Sequence, residues 1–508
     1  MRGPHNLWRL IRTGATLERT GAMKVVLDAY DAPPLLRVAA RVAGWPFQWL
    51  GLKGDPTMPP APRALTALGP AYIKFGQILS TRPDLVGDDL ARQLRVLQDR
   101  LPAFSINEAK AMIEAELGAS LNSVFSEFSE PVAAASIAQV HKARLIETGE
   151  EVAVKVLRPG IERAFRRDID AFYLTASVIE LLSPASRRLR PGDVVEHFDG
   201  VVRGELDLRL EAASASTFLT NTENDKGFGL PIVKWQQSGR RVMTMGWVEG
   251  TPLGDNDALD AVGHDRQALG ERVLTLFLNH ALRDGYFHAD MHQGNLKVAA
   301  DGTIIAFDFG IMGHIDEYTR RVYAEILYGF IKRDYMRVAM VHFEAGYVPA
   351  DQDVDEFARA LRAVGEPIFG MDATKISMGR LLSYLLDVTE RFGMETRTEL
   401  ILLQRTMVVV EGVARSLSPQ VNIWEVAQPV VEAYIRRNLG PRALMRDLSR
   451  TGEVLARFGP RLPMLVQNAL AQQMAEKDRR PPKQHPYLWL AGGVVLGAAT
   501  MAILAAIG

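Results

Sequence analysis

The chain has 508 residues, with 59 Lys plus Arg against 60 Asp plus Glu, 47% hydrophobic residues and no cysteine. That length exceeds one small domain and accommodates a two-lobed catalytic core with extensions. A net charge of −1 offers no electrostatic case for nucleic acid, and the lack of cysteine excludes disulfides, thiolate zinc sites and a cysteine nucleophile.

Residues 1–54 read as helical and semi-amphipathic, with Trp8, Leu10, Ile11, Trp45, Phe47 and Trp49 as apolar anchors. Arg2, Arg9 and Arg12 lie here without an uninterrupted apolar run, which argues against a cleaved signal peptide. Residues 55–62 form a Pro-rich linker that closes a first segment, 1–62. The segment 63–125 is expected to be helical and carries Lys74 and Gln77 in Tyr72-Ile73-Lys74-Phe75-Gly76-Gln77.

An N-lobe is expected over 126–249. A strand over roughly 137–145, entered from Ala133-Ala134-Ala135-Ser136, turns at Thr148-Gly149-Glu150 into Glu151-Val152-Ala153-Val154-Lys155-Val156-Leu157. Val152, Val154 and Val156 share one face of that second strand, and Lys155 projects from the other. This is the VAVK form in which kinases place the lysine that neutralises phosphate. A GxGxxG loop is missing, and so is GxxxxGK[ST]; alanines where glycines would stand remove access to positive φ, so a covering loop here is stiffer. Long helices are predicted at 161–183 and 193–220. The second carries Glu205, with Asp207 and Glu211 four apart on one face. Two carboxylate directions suggest service to two lysines, Lys155 and Lys74. The strand over 242–245 runs into a hinge, Gly246-Trp247-Val248-Glu249, expected to line an adenine slot.

A C-lobe is expected over 250–470. It opens on a helix with Leu269, Val273, Leu276 and Phe277 at helical spacing and is stopped by Gly285. Next comes Tyr286-Phe287-His288-Ala289-Asp290-Met291-His292-Gln293-Gly294-Asn295, and further on Asp308-Phe309-Gly310. In a kinase these parts are a catalytic acid/base (Asp290) and two metal ligands (Asn295 and Asp308). Oxygen donors of this kind favour Mg²⁺. Taken singly, Lys155 reads as a strand-edge lysine, Lys74 as solvated, and His288 and His292 as residues that position the loop. What outweighs those readings is order, because all the parts occur in kinase sequence. Residues 471–486 form a basic linker with Lys477, Arg479, Arg480 and Lys483. From 487 to 508 there are 22 positions without charge, enough for a bilayer span with the preceding cations cytoplasmic.

Together KFGQ at 74–77, AAAS at 133–136, Lys155, Glu205 and Asp207, HADMHxGN and DFG resemble the AarF/UbiB family of atypical kinase-like proteins. Ser136-Ile137-Ala138-Gln139-Val140-His141 and Gly365-Glu366-Pro367-Ile368-Phe369 extend the likeness over most of the chain. Gln293 departs from it, since bacterial relatives commonly carry proline there. The resemblance implies an α+β, atypical protein-kinase-like two-lobed fold with a helical N-terminal extension and a C-terminal transmembrane helix. It also implies that KxGQ folds over the nucleotide site and favours ATPase-like chemistry over ordinary protein phosphorylation.

On this reading Val132, Ala133, Ala134, Ala135, Ser136, Ile137, Ala138, Gln139 and Val140 cover ATP, and Lys155 holds its phosphates. Lys74, Gln77, Glu205, Asp207 and Glu211 form a family-specific gate. The expected role is an ATP- and Mg²⁺-dependent enzyme of ubiquinone biosynthesis at the bacterial inner membrane, with its catalytic domain cytoplasmic. Expected partners are membrane lipid or quinone precursors, other ubiquinone-biosynthesis proteins and a second copy of the chain, and not nucleic acid. The alternatives are a protein or small-molecule kinase and a nucleotide-gated scaffold. A metal-dependent hydrolase built on HxDxH leaves Lys155 and Asp308 unexplained.

Overall fold

The computed structural model describes residues 5–29, 45–80, 86–94, 96–97, 103–135, 137–182, 191–369, 384, 388, 391–394 and 398–438. Residues 1–434 make one compact unit. Of the second, 435–508, only the end of helix Ile423–Asn438 is described. The expected span at 487–508 lies outside the described residues, among which no helix is long and apolar enough to cross a membrane.

The N-lobe is an antiparallel sheet. Strands β1 (Phe125–Ala134), β2 (Ala138–Leu145) and β3 (Glu151–Leu157) run in order, and β5 (Val242–Gly246) pairs with the far edge of β3. The two-residue strand β4 (Phe228–Gly229) belongs to the C-lobe sheet. As the alternation requires, Val152, Val154 and Val156 are buried on one face, against Ile113, Leu121, Phe125, Leu145 and Val242. Ala153 and Leu157 face the other way, into the main core. Helix Ile106–Leu117 packs on the valine face, its N-terminus closed by a Ser105/Glu108 capping box.

Helix Ile161–Leu182 forms as expected, but the helix predicted over 193–220 is two helices, Pro191–Glu205 and Leu208–Thr222. The break falls at Asp207, whose side chain accepts from the Arg209 N–H as an N-cap. Aspartate stabilises a helix start there better than a helix interior. The Pro-rich linker is shorter than expected. Pro60 opens helix Pro60–Leu68, where a missing N–H is harmless, and Ala61 and Pro62 are already buried.

Helix Pro70–Ser80, which carries KFGQ, is bolted to the N-lobe by aromatic rings. Tyr72 and Phe75 lie 4.8 and 5.0 Å from Phe172, and Phe75 lies 5.2 Å from Phe198. Trp8 and Trp49 are not anchors into this core. Trp8 is 52% and Trp49 74% exposed, and Phe47 is also exposed; Trp45's side chain lies outside the described residues.

In the C-lobe, β6 (Thr251–Pro252), β8 (Leu296–Val298) and β9 (Ile304–Ala306) join β4, while β7 (Tyr286–His288) pairs with β10 (Met312–His314). Helix Arg266–Asn279 buries Leu269, Val273, Leu276 and Phe277 as predicted. It loosens into a π-turn at His280–Asp284 and stops at Gly285, with φ +67°. A Cβ there would lie 2.5 Å from the Ile315 carbonyl oxygen, so glycine is required for the chain to enter β7. The helices after β10, from Glu317–Lys332 to Ile423–Asn438, complete the lobe.

Phe172→Ala removes the ring on which the KFGQ helix rests. A buried Phe→Ala change typically costs about 3–5 kcal/mol. Thermal unfolding should show a marked fall in Tm, and proteolysis should cut first near residues 70–80.

Candidate active site

Alternation along β3 turns Lys155 away from the valine core and toward helix Leu208–Thr222. Its Nζ lies 2.6 Å from Glu211 Oε1 and 3.4 Å from Asp308 Oδ2, and both Lys155 and Glu211 are about nine-tenths withdrawn from solvent. Burial alone would drive the proton off Lys155, but Asp308 and Glu211 outweigh it and hold the ammonium charged. Burial pushes the Glu211 carboxyl up, opposed by the Lys155 charge. Burial acts the same way on Asp308, yet the lysine charge and the Gly310 N–H prevail and hold it at about 2. Glu211 also accepts from the Phe309 N–H. Phe309 is itself buried and meets Phe218 of the same helix edge-on. One carboxylate thus binds the lysine strand and the Asp308 segment together.

A second tie is His288. It is buried, its Nδ1 accepts from the Asp290 N–H (3.1 Å), and its Nε2 donates to the Asp308 carbonyl (2.6 Å). The two bonds use both ring nitrogens and fix the neutral form, and burial lowers its pKa in the same direction. Asn295 Nδ2 donates to the Asp290 carbonyl (3.0 Å), a bond that does not use its amide oxygen. Hairpin β8–β9 sets Leu296 opposite Ala306, and the Phe307 N–H reaches the Asn295 carbonyl. Asn295 and Asp308 therefore leave the same end of one hairpin. The side chain of Asp290 stays 43% exposed.

The alanine segment is the tip of the β1–β2 hairpin. Ala133 and Ala134 pair with Val140 and Gln139, and the Ala135 N–H bonds the Ala138 carbonyl. The tip is braced from below: Arg158 donates to the Ala135 carbonyl at 3.2 and 3.0 Å, and its N–H to the Ile137 carbonyl. Val132 and Ala133 are exposed; Ser136 lies outside the described residues. Val140 pairs with Lys155 and so shares its face. Gln139 does not belong with the nucleotide set. It is fully buried on the opposite face, bonded to the Phe104 backbone and His141.

The gate residues divide. Lys74 pairs with Glu205 at 2.7 Å, both largely withdrawn from water. Gln77 reaches the Leu97 carbonyl at 3.5 Å. Two lysines do meet two carboxylates, but the carboxylates sit on consecutive helices, and Asp207 belongs to neither pair. Its carboxylate is taken by Arg209 at 2.6 and 2.9 Å. The hinge is also tied across the lobes: Lys297 donates to the Val248 carbonyl and, like Lys142, lies over the Trp247 ring.

Helix Thr398–Leu417 contributes contacts that sequence reasoning missed. Thr406 donates to the Ala289 carbonyl at 3.1 Å, and Ser416 to the Gln293 side chain at 3.3 Å. Both lie more than a hundred residues from the loop they support, and no local signal marks them.

The lysine strand, the helix glutamate, the loop aspartate and the DFG aspartate define an atypical kinase-like protein, and the comparisons agree. Residues 96–342 match the ABC1 atypical kinase-like domain, and residues 361–422 match the UbiB helical domain. The chain is 42% identical to the "probable protein kinase UbiB" of Marinobacter nauticus over 80% of its own length and 76% of the relative's. The Azotobacter vinelandii protein of the same name is 39% identical, over 97% and 93%. The solved structure of Mycobacterium tuberculosis Rv3197 with erythromycin superposes with a TM-score of 0.51 at 26% identity, covering 70% of this chain and 90% of that one. The chain belongs to the UbiB family.

Because Asp308 is depressed to about 2, below the roughly 3.9 of a free aspartate, its ion pair stabilises fully above about pH 4. That contribution is lost as pH falls through about 2. Asp308→Asn lacks it, so the gap in Tm between wild type and variant should close between about pH 4 and pH 2. A gap that stayed constant would mean that the Asp308 charge does not support the fold.

Proposed function

We propose that the protein is a membrane-anchored ATPase-type enzyme of ubiquinone biosynthesis, using ATP with Mg²⁺. The observation that carries this reading is the charged Lys155 held between Glu211 and Asp308 while His288 ties Asp308 to Asp290. The donor set fits the expected cation. Asp308 and the amide oxygen of Asn295 are hard oxygen ligands, with no soft donor among them. A magnesium ion bound there would neutralise phosphate charge. Lys155 would hold phosphate oxygens, and Asp290 would take the proton of the attacking hydroxyl. Val132, Ala133, Ala134, Ala135, Ser136, Ile137, Ala138 and Val140 would form the cover over the nucleotide, stiffened by Arg158.

Lys74, Gln77 and Glu205 would restrict what reaches the phosphate, which favours water or a small lipid-borne group over a protein side chain. A kinase with a protein or small-molecule acceptor is the second reading, favoured by the half-exposed Asp290. Lipid or quinone precursors and other ubiquinone-biosynthesis proteins are the proposed partners. The charge-free run at 487–508 supports a site of action at the bacterial inner membrane. Gly493 and Gly497 in that run would permit close approach of a second copy.

Asp290→Asn should still bind Mg-ATP yet release ADP about 10²–10⁴-fold more slowly, the usual worth of an acid/base group. Full turnover in this variant would remove the kinase-type chemistry. The measurement is ADP release with and without quinone-like lipids, together with a search for phosphorylated product.

Deleting 487–508 should move the protein from the membrane to the soluble fraction and leave nucleotide binding intact. Retention on membranes after a salt wash would place the anchor elsewhere, with the exposed Trp8 and Trp49 as the next candidates.

A further inference from the structure

His292 lies in the catalytic loop without a part in the scheme above. Its Nδ1 accepts from the Gly294 N–H at 3.0 Å. An amide can only donate, so the neutral ring carries its proton on Nε2. The ring folds back so tightly that a Cβ on Gly294 would lie 2.8 Å from Cε1 and 2.9 Å from Nδ1, and only glycine admits it. Nε2 then stands 3.7 Å from Asp290 Oδ2, too far for a good hydrogen bond. Both side chains are about half exposed. Among the described residues neither Nε2 nor the Asp290 carboxylate makes a hydrogen bond to any other group. A donor of fixed tautomer and an acceptor are therefore held side by side, uncommitted, at the centre of the loop.

We propose that His292 is a further catalytic residue, whose Nε2–H donates to an oxygen of the phosphoryl group in transit. The inference rests on the nucleotide reading above. In the step, the acceptor oxygen bonds to the γ-phosphorus and its proton passes to Asp290. The bond from the γ-phosphorus to the bridging oxygen breaks, and ADP leaves with that electron pair. His292 gives a hydrogen bond and no proton. Its neighbour Asp290 is held off at 3.7 Å, so the phosphoryl oxygen does not compete with a pre-existing salt link. A neutral imidazole suits this place, because it stabilises the oxygen without neutralising the base beside it.

The bland alternative is that the ring only caps the Gly294 N–H and shapes the loop. The two roles use different nitrogens, and amide substitutions separate them. His292→Asn keeps an acceptor near Nδ1 and loses the distal donor; His292→Gln keeps a donor near Nε2. Asn and Ala variants should bind Mg-ADP like wild type but bind Mg-ADP with aluminium fluoride about 10²-fold more weakly, the cost of one donor to the reacting group. Gln should recover most of that loss. Nitrogen-15 NMR of the resting protein should show His292 protonated at Nε2 and bare at Nδ1. Rescue by Asn rather than Gln, or equal weakening of both nucleotide complexes, would assign the ring to loop shape alone. If His292→Ala binds the fluoride complex normally while Asp290→Asn is inactive, this inference falls and the kinase-type reading stands. If Asp290→Asn also keeps full turnover, the reading itself falls.

Discussion

A lysine ammonium withdrawn from water is tolerable only where opposite charge meets it, and the arrangement of both lobes follows from that demand at Lys155. Its partners come from separate elements: Glu211 from helix Leu208–Thr222 and Asp308 from the segment after β9. Desolvation raises the cost of alternative arrangements, because Lys155 turned away from both carboxylates would leave a buried charge unpaired. The result is a constraint on three elements at once. Glu211 adds the Phe309 N–H to its bonds, and Phe309 packs on Phe218 of the Glu211 helix. The ion trio and the aromatic contact therefore favour the same position of the helix, and neither would hold it as well alone.

His288 extends that constraint to the residue expected to do the chemistry. A rotating side chain could satisfy one backbone group, but a ring with a donor on one edge and an acceptor on another ties two segments at a fixed separation. Asp290 and Asp308 are so linked through their own backbones, which leaves the Asp308 carboxylate to Lys155 and the Gly310 N–H and the Asp290 carboxylate half-exposed. Thr406 and Ser416, from the helical domain that follows, hold the other side of the loop. The Ser416 hydroxyl donates to the Gln293 side chain, so a contact from another helix reaches the loop at that residue.

What could be read from the sequence was whatever local periodicity or motif order encodes. The valines of β3 alternate, so the direction of Lys155 followed, and the spacing of Leu269, Val273, Leu276 and Phe277 marked their helix. The break at Asp207 was equally local but ambiguous, since an aspartate between two apolar runs fits a helix interior by pattern and a helix start by chemistry. The capping bond decided it. Gln139 departs from the expected nucleotide set because the second half of residues 132–140 is a strand whose residues alternate between the Lys155 face and the valine core. The apolarity of Trp8 and Trp49 says nothing about which face is covered, and both are exposed. Contacts from Thr406 and Ser416 lay beyond reach in principle, since their partners are set only by tertiary packing.

The alanine-rich tip and the Lys74–Glu205 pair are each held in place, by different means. A glycine loop can follow a nucleotide through its conformational changes. The tip here is instead fixed by Arg158 to the Ala135 and Ile137 carbonyls, and it cannot reach positive φ without strain. Lys74 meanwhile holds the KFGQ helix against the N-lobe through a pair largely removed from water, and the Tyr72, Phe75 and Phe172 rings make the same attachment without charge. Ion pair and rings differ in what they resist. The rings oppose separation of the helix from the lobe by burying apolar area, which is insensitive to direction. The ion pair opposes sliding, because a 2.7 Å contact is lost on small displacement. A helix held against both kinds of motion is fixed to the N-lobe.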